Sequence, residues 1–493
     1  MKLPQKTTRR TAIRLGAGAV LAALSPGCRR DSAVSQPNHP DSSESEIIIA
    51  GGTVVAESGT QICDIRVRGE RIAEVGRSLV PGSSKSQTIS ASDLLVLPGG
   101  IDPHVHLSKP WCDDFNSGSK AALAGGITTL GHMSFPARGQ SLLQKYTEDK
   151  AAVEEKGICD FFFHLVATDP ARIDQQSIQH LVSIGQPSIK LFMLTEQFES
   201  AQMQVSDLMR TARELGVTCA IHAEDQVTLQ RAADRLTAEG RTSLEYYPGS
   251  RPVDAEIAAV RKAIALCAVT GASIYLVHIS SGEAIRLAKD ARRQGLPVFL
   301  ETRPMYLHLT DEIYEREDAP LFVGMPPVRT QFDREALWDG LRNGAISTVA
   351  TDHAAWTRDE KMDPALTINN PRGGVNNLQV MLPMLMHEVA QERLELERFV
   401  DVTSTNAAKI FGLYPYKGVI AEGSYADIVI WDPEETRTIT DEGYSNAGFS
   451  IYSGTSVQGW PVTTLRRGEV VFENEEVTAR SGGKVVARTI RQT

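Results

Sequence analysis

Between Gly99 and Phe411, short apolar runs alternate with stretches of helical periodicity. The runs include Asp160–Val166, Ser188–Met193, Thr218–His222, Ile274–His278, Val298–Glu301 and Thr348–Asp352. Helical patterns such as Gly118–Ala124, Val205–Leu215 and Asp254–Thr270 fall between them. Repeated strand–helix alternation implies parallel strands joined by crossover helices. Residues 99–411 give room for a (β/α)8 barrel, for which about 250 residues is typical. A doubly wound sheet would use the same alternation. The barrel is the expected fold because polar residues stand at the C-terminal ends of the runs, where barrel enzymes place their chemistry.

The densest such group is Pro98-Gly-Gly-Ile-Asp-Pro-His-Val-His106. Apolar residues run into it from Leu94 to Leu97, so it reads as the end of a buried strand. On a strand, residues i and i+2 share a side, so His104 and His106 aim two imidazoles at one point. An isolated His-x-His is as readily a coincidence or a hydrogen-bonded surface pair. Here Lys190, His222, His278 and Asp352 end later runs, and in a barrel such ends converge on one mouth. Four histidines and a carboxylate suit zinc better than magnesium or calcium. Lys190 lies within the apolar run Ile189-Lys-Leu-Phe-Met193. Such a lysine either finds an acid, snorkels to the rim, or loses its charge to burial. A neutral amine reacts with carbon dioxide to give a carbamate, whose two oxygens can bridge two cations.

The flanks differ from the middle. Ile47–Ile49, Gly51–Val55, Cys63–Arg68 and Arg71–Val75 read as short strands, as do Ala426–Trp431, Val462–Leu465 and Glu469–Phe472. Neither set suffices for a sandwich alone. Residues 46–98 and 412–493 are therefore expected to pair into one small β-sandwich domain, discontinuous in sequence, around a barrel at 99–411.

The first residues read as targeting rather than fold. Lys2, Lys6, Arg9, Arg10 and Arg14 precede any acid, and Leu15–Leu24 is an apolar run too short to span a bilayer. Residues 1–27 are expected to be a cleavable export signal, and Arg9-Arg10 resembles the twin-arginine type. Cys28 is a candidate lipid anchor, although Leu24 lies one place too far upstream for a good lipobox. Residues 28–45, rich in Ser, Asp, Asn and Pro, read as a solvated linker. The protein is thus expected beyond the cytoplasmic membrane, periplasmic or anchored on its outer side. The net charge of −10 argues against a nucleic-acid partner. Cys63, Cys112, Cys159, Cys219 and Cys267 form no Cys-x-x-Cys and read as buried thiols.

Taken together, the chain resembles the amidohydrolase superfamily, in particular its dihydropyrimidinase/hydantoinase group, with allantoinases and dihydroorotases close by. The stretches that carry the resemblance are Pro98–Leu107, Asp113–Thr128, Lys190-Leu-Phe-Met193, His222-Ala-Glu224, Val277–Ser281, Thr351-Asp-His353, Thr403–Leu413 and Gly418–Ile430. The resemblance implies a metal-dependent barrel hydrolase that cleaves the C–N bond of a cyclic amide or ureide, as a homotetramer. It implies two zinc ions per chain: one held by His104, His106 and Asp352, the other by His222 and His278, with carboxylated Lys190 bridging. A hydroxide between the ions would attack the carbonyl. Asp352 would carry its proton to the leaving nitrogen. Allantoinase-like activity is the alternative within the class. The alternative outside it is a metal-free, non-catalytic assembly protein, since the family contains members that have lost their metals.

The substrate contacts depart from the family. Thr195 stands where hydantoinases carry a tyrosine that contacts the tetrahedral intermediate. Met325 replaces the Ser before Pro-Pro, Arg372 replaces the Asn of Pro-Asn-Gly, and Arg303 replaces a smaller residue. The two arginines would suit a substrate carboxylate or serve as internal salt bridges. Ser108 stands where dihydroorotases carry a carboxylate-binding Arg, which argues against that activity. Gly373–Gln379 and Leu382–Leu385 lean towards the allantoinase and dihydroorotase pattern.

Overall fold

In the computed structural model the described residues are 45–490. The expected export signal, the candidate anchor Cys28 and all but the last residue of the expected linker lie outside them. Gly99 separates two sheets. Before it run β1 (Glu46–Ala56), β2 (Gly59–Arg68), β3 (Arg71–Gly76), β4 (Gln87–Ser90) and β5 (Leu95–Pro98). After it come the barrel strands β6 (Gly100–Val105), β7 (Ile127–Ser134), β8 (Asp160–Val166), β9 (Ser188–Phe192), β10 (Thr218–His222), β11 (Ile274–Leu276), β12 (Val298–Thr302) and β13 (Thr348–Val349). A Cβ at residue 99 would lie 2.3 Å from Thr128 Oγ1, so only glycine fits this crossing. The apolar run Leu94–Leu97 therefore does not lead into the histidine strand as a single strand. It belongs to the other sheet, and His104 stands on the separate strand β6.

The eight barrel strands pair in sequence order from β6 to β13. The registers between successive strands are parallel. The chain after β13 returns to the first strand: Val105 and His353 form a parallel bridge, and His106 N–H donates to His353 O at 2.7 Å. Helices cover the barrel between strands. The helix Phe115–Ala124 starts at a capping box in which Asp114 accepts from Asn116 N and Ser117 N. The helix Val253–Thr270 stops at Gly271, whose φ of +71° is the left-handed cap that glycine accepts.

β7 answers to none of the apolar runs singled out in the sequence. It is buried along its whole length yet carries Thr128, Thr129, Gly131 and His132, so no alternation marks it. At the other end of the barrel, β11 and β13 stop short of the runs that contain them. Their ladders end before His278 and Asp352, whose φ values of +41° and +46° take the backbone out of extended conformation.

The outer strands β1–β5 join β14 (Ile428–Thr438), β15 (Ser456–Arg466), β16 (Glu469–Glu473) and β17 (Glu476–Val477) in one nine-stranded mixed sheet. β14 runs antiparallel to β5, which brings together the two segments that flank the barrel in sequence. Ile49, Val54, Ile65, Val96, Ile428, Ile430 and Leu465 form a core of its own. Beyond this sheet, residues 483–489 run across the N-terminal ends of the barrel strands, with Val485 bridged to Phe161 and Arg488 donating to Phe163 O and Ser188 Oγ. All five cysteines from Cys63 onward are free thiols, four buried and Cys112 half-buried.

Candidate metal centre

His104, His106 and Asp352 meet at the C-terminal mouth of the barrel. Their ligand atoms lie within 4.8 Å of one another. Asp352 Oδ1 is 3.1 Å from His104 Nε2 and 2.9 Å from His106 Nε2. His104 Nδ1 lies 2.8 Å from Glu301 Oε1, the geometry of a ring N–H donating to a carboxylate. That tautomer leaves Nε2 bare, facing a carboxylate oxygen. Two lone pairs at this separation repel unless a cation joins them. On the other ring, His106 Nδ1 is buried without a hydrogen-bond partner. Burial, partly offset by Asp352, pushes the His106 pKa down to about 4, so the imidazole stays neutral as a metal ligand requires.

Lys190, His222 and His278 line the same cavity of about 190 Å³ as these three. Lys190 Nζ is fully buried and has no hydrogen-bond partner, so the lysine is neither paired nor snorkelling. Burial, partly offset by Glu301 and Asp352, lowers its pKa to about 7, where a large fraction of the amine is neutral at physiological pH. His222 Nε2 is held 2.8 Å from Glu224 Oε2, and Glu224 is in turn paired with Arg251. His222 therefore offers its Nδ1. The His222 and His278 ring centroids are 4.4 Å apart, and burial lowers the pKa of both rings. The six side chains thus form a donor set that fits divalent cations: neutral nitrogens, one carboxylate and one amine that carbon dioxide can convert to a second anion.

Burial alone would raise the Asp352 pKa. The guanidinium of Arg303, with Nη1 3.0 Å from Asp352 Oδ2, and the imidazoles of His104 and His106 hold it well below the usual carboxylate range. Asp102 fixes the turn beneath, accepting from His104 N at 3.1 Å and Thr351 N at 3.2 Å.

The four expected substrate contacts fall in different places. Met325 lines the cavity, with Trp111, Phe135, Phe192, Gly373 and Gly374. Thr195 does not. Its hydroxyl accepts from Phe198 N at 3.2 Å and donates to Phe192 O at 3.1 Å, capping the helix Glu196–Ser200. It faces a separate cavity of about 240 Å³, which shares Phe135 and Phe192 with the first. Arg303 is fully buried and is directed at Asp352 rather than into the cavity. Arg372 is exposed and lies over the Trp356 ring.

Two residues here escaped the sequence reading. Glu301 sits at the end of β12, the same positional signal that marks the histidines, but Arg303 two places on drew the attention. Lys361 ends the four-residue helix Arg358–Lys361, too short to leave a periodic signal. Its buried amino group, whose pKa burial holds well below the usual lysine value, donates to carbonyls that surround it: Val323 O at 2.8 Å, Arg372 O at 2.8 Å and Gly374 O at 2.9 Å. It thereby ties together the two segments that carry Met325 and Gly373-Gly374. Lys361→Met is expected to speed amide hydrogen exchange in residues 371–375 by roughly tenfold or more, because buried carbonyls left without a donor cost ~1–3 kcal/mol. Metal uptake is expected to stay unchanged. Exchange mass spectrometry on both proteins, with metal analysis alongside, checks both outcomes.

Comparison with known proteins agrees with this geometry. The model of the Amidohydrolase family matches residues 95–471. The D-hydantoinase of Ralstonia pickettii is 33% identical over 90% of this chain and 99% of its own length. The D-phenylhydantoinase of Escherichia coli O1:K1 is 32% identical over 88% of this chain and 96% of its own. Among solved structures, the dihydropyrimidinase from Brevibacillus agri NCHU1002 superposes with a TM-score of 0.85 at 32% identity, covering 91% of this chain and 100% of that one. The L-hydantoinase (dihydropyrimidinase) from Arthrobacter aurescens gives 0.82 at 27% identity, with 90% and 99% covered. A barrel whose strand ends gather these ligands, matched along most of its length, places the chain in the amidohydrolase family.

Proposed function

We propose that the protein is a metal-dependent hydrolase that opens a cyclic amide or ureide at its ring C–N bond. The observation that carries the reading is the gathering of His104, His106, Lys190, His222, His278 and Asp352 on one buried cavity. His104, His106 and Asp352 would hold one zinc ion and His222 and His278 another, with Lys190, once carboxylated, bridging them. Such ions act as Lewis acids, polarising a carbonyl and making water acidic enough to attack it at neutral pH. Asp352 is the group placed to take the attacking water's proton and return it to the ring nitrogen as that nitrogen leaves. Arg303 engages Oδ2, so Oδ1 is the oxygen left facing the two imidazoles. Trp111, Phe135, Phe192 and Met325 supply apolar walls that exclude bulk water. The hydantoinase and dihydropyrimidinase relatives support cyclic amides as the substrate class.

The wall differs from the one hydantoinases use. A tyrosine hydroxyl aimed at a developing oxyanion is worth roughly 10²–10³ in rate. Thr195 cannot supply it, because its hydroxyl caps a helix on the far side of Phe192. Hydantoin and dihydrouracil are therefore expected to be turned over at least tenfold more slowly than the best member of a panel that adds allantoin and carboxylated cyclic amides. Initial rates with the zinc-loaded enzyme, products identified by mass, test this. Equal or better turnover of hydantoin or dihydrouracil would contradict the role assigned to position 195. No hydrolysis of any member would defeat the functional reading itself.

We also propose that the chain is exported by the twin-arginine route, on the strength of Arg9-Arg10 and the apolar run Leu15–Leu24. Replacing Arg9 and Arg10 by Lys should trap the precursor inside the cell. Cell fractionation with an antibody to the mature chain reads the outcome, and unchanged export would reject this route. Incorporation of a labelled lipid precursor that disappears in Cys28→Ala would establish the anchor.

A further inference from the structure

Glu301 has no part in the ligand set, yet its carboxylate touches both halves of it. The side chain is fully buried. Among the described residues no lysine or arginine forms an ion pair with it; its ion-pair partner is His104, and Lys190 acts on it only at longer range. One oxygen, Oε1, serves two donors at once: His104 Nδ1 at 2.8 Å and the backbone N–H of His278 at 2.9 Å. The other, Oε2, accepts from the Tyr275 hydroxyl at 2.9 Å, which also lies 2.6 Å from Thr348 Oγ1. A buried carboxylate without a cation beside it is costly, and neutral donors compensate only in part. Positive charge in the adjoining cavity would complete the compensation.

The two donors on Oε1 come from different elements. His104 stands on β6 and His278 follows β11, in the left-handed backbone conformation that a histidine seldom adopts. Such a conformation persists only where surrounding contacts impose it. We propose that Glu301 is a positioning residue that couples the two halves of the metal centre. It fixes His104 with its proton on Nδ1 and Nε2 free for an ion, and it clamps the His278 backbone so that this ring faces the cavity. Because both donors share one oxygen, an ion that seats His104 also seats the carboxylate over His278. Occupation of one half therefore favours occupation of the other. Carboxylates that hold a ligand histidine from behind typically contribute 10–100-fold in metal affinity.

The inference rests on the reading of this site as a two-ion centre, and the test separates them. The stripped full-length protein, in bicarbonate buffer, is titrated with zinc against a chromophoric chelator, and its fold and melting temperature are followed by circular dichroism. Glu301→Gln keeps the shape and one acceptor oxygen but loses the charge. Tyr275→Phe removes only the donor on Oε2. Wild type is expected to take up its ions cooperatively. Glu301→Gln is expected to bind at least ~10-fold more weakly and without cooperativity, and Tyr275→Phe to stay within about threefold of wild type. Glu301→Gln that melts earlier but binds with the wild-type isotherm would show a merely structural carboxylate and overturn the proposal. Should Glu301→Gln not fold, ring-nitrogen NMR of the stripped wild type decides. His104 protonated at Nδ1 supports the coupling, and His104 protonated at Nε2 refutes it. A wild type that binds no ion defeats the two-ion reading, and this inference with it.

Discussion

One carboxylate oxygen lies within 3.1 Å of two imidazole nitrogens, and one of those nitrogens is bare because its ring gives its proton to Glu301. The bare His104 Nε2 facing that oxygen is unfavourable unless positive charge sits between them. The same cavity holds a lysine with no partner and two further neutral imidazoles. Buried polar groups are normally satisfied, and exceptions cluster where function requires them. The donor set therefore suits a cation, and much of the surrounding architecture fixes its geometry.

That architecture works at several levels. The barrel brings five strand ends to one mouth, and the bridge between Val105 and His353 closes it directly beneath Asp352. His278 and Asp352 both take positive φ, a strain that Glu301 and Arg303 hold in place by direct bonds and Asp102 through the neighbouring Thr351. His222 is oriented by Glu224, which Arg251 backs. Lys361 fixes the opposite rim through three carbonyls. His104, His222, His278 and Asp352 are thus each set by a neighbour that does not itself line the cavity, the condition for precise metal geometry.

The sequence picked out the polar side chains of the cavity well and their supports poorly, for a physical reason. Histidines at strand ends stand out against apolar runs, so His104, His106, His222 and His278 could be read without knowing what touches what. Asp352 and Lys190 were legible in the same way. Lys361 acts through contacts with residues distant in sequence and no local pattern marks it; Glu301 ends a strand as the histidines do, but its role shows only in its contacts. Thr195 and Arg303 show the converse. The family resemblance put both at substrate-contact places, with an internal salt bridge as the alternative for Arg303; the structure uses Thr195 as a helix cap and Arg303 in that salt bridge, to Asp352. The fold class followed from strand–helix alternation, but β7 has no alternation to read. The run Leu94–Leu97 was joined to the wrong sheet, because a crossing at glycine leaves no trace in hydropathy.

The central claim is that this barrel mouth holds two cations bridged by a modified Lys190. Growth of the producing cells in 13C-bicarbonate, followed by carbon NMR and metal analysis of the purified protein, tests it most directly. The account predicts about two ions per chain and a carbamate carbon signal, both lost or sharply reduced in a folded Lys190→Ala protein. A wild-type protein with no carbamate signal, or a Lys190→Ala protein with its full complement of metal, would contradict it.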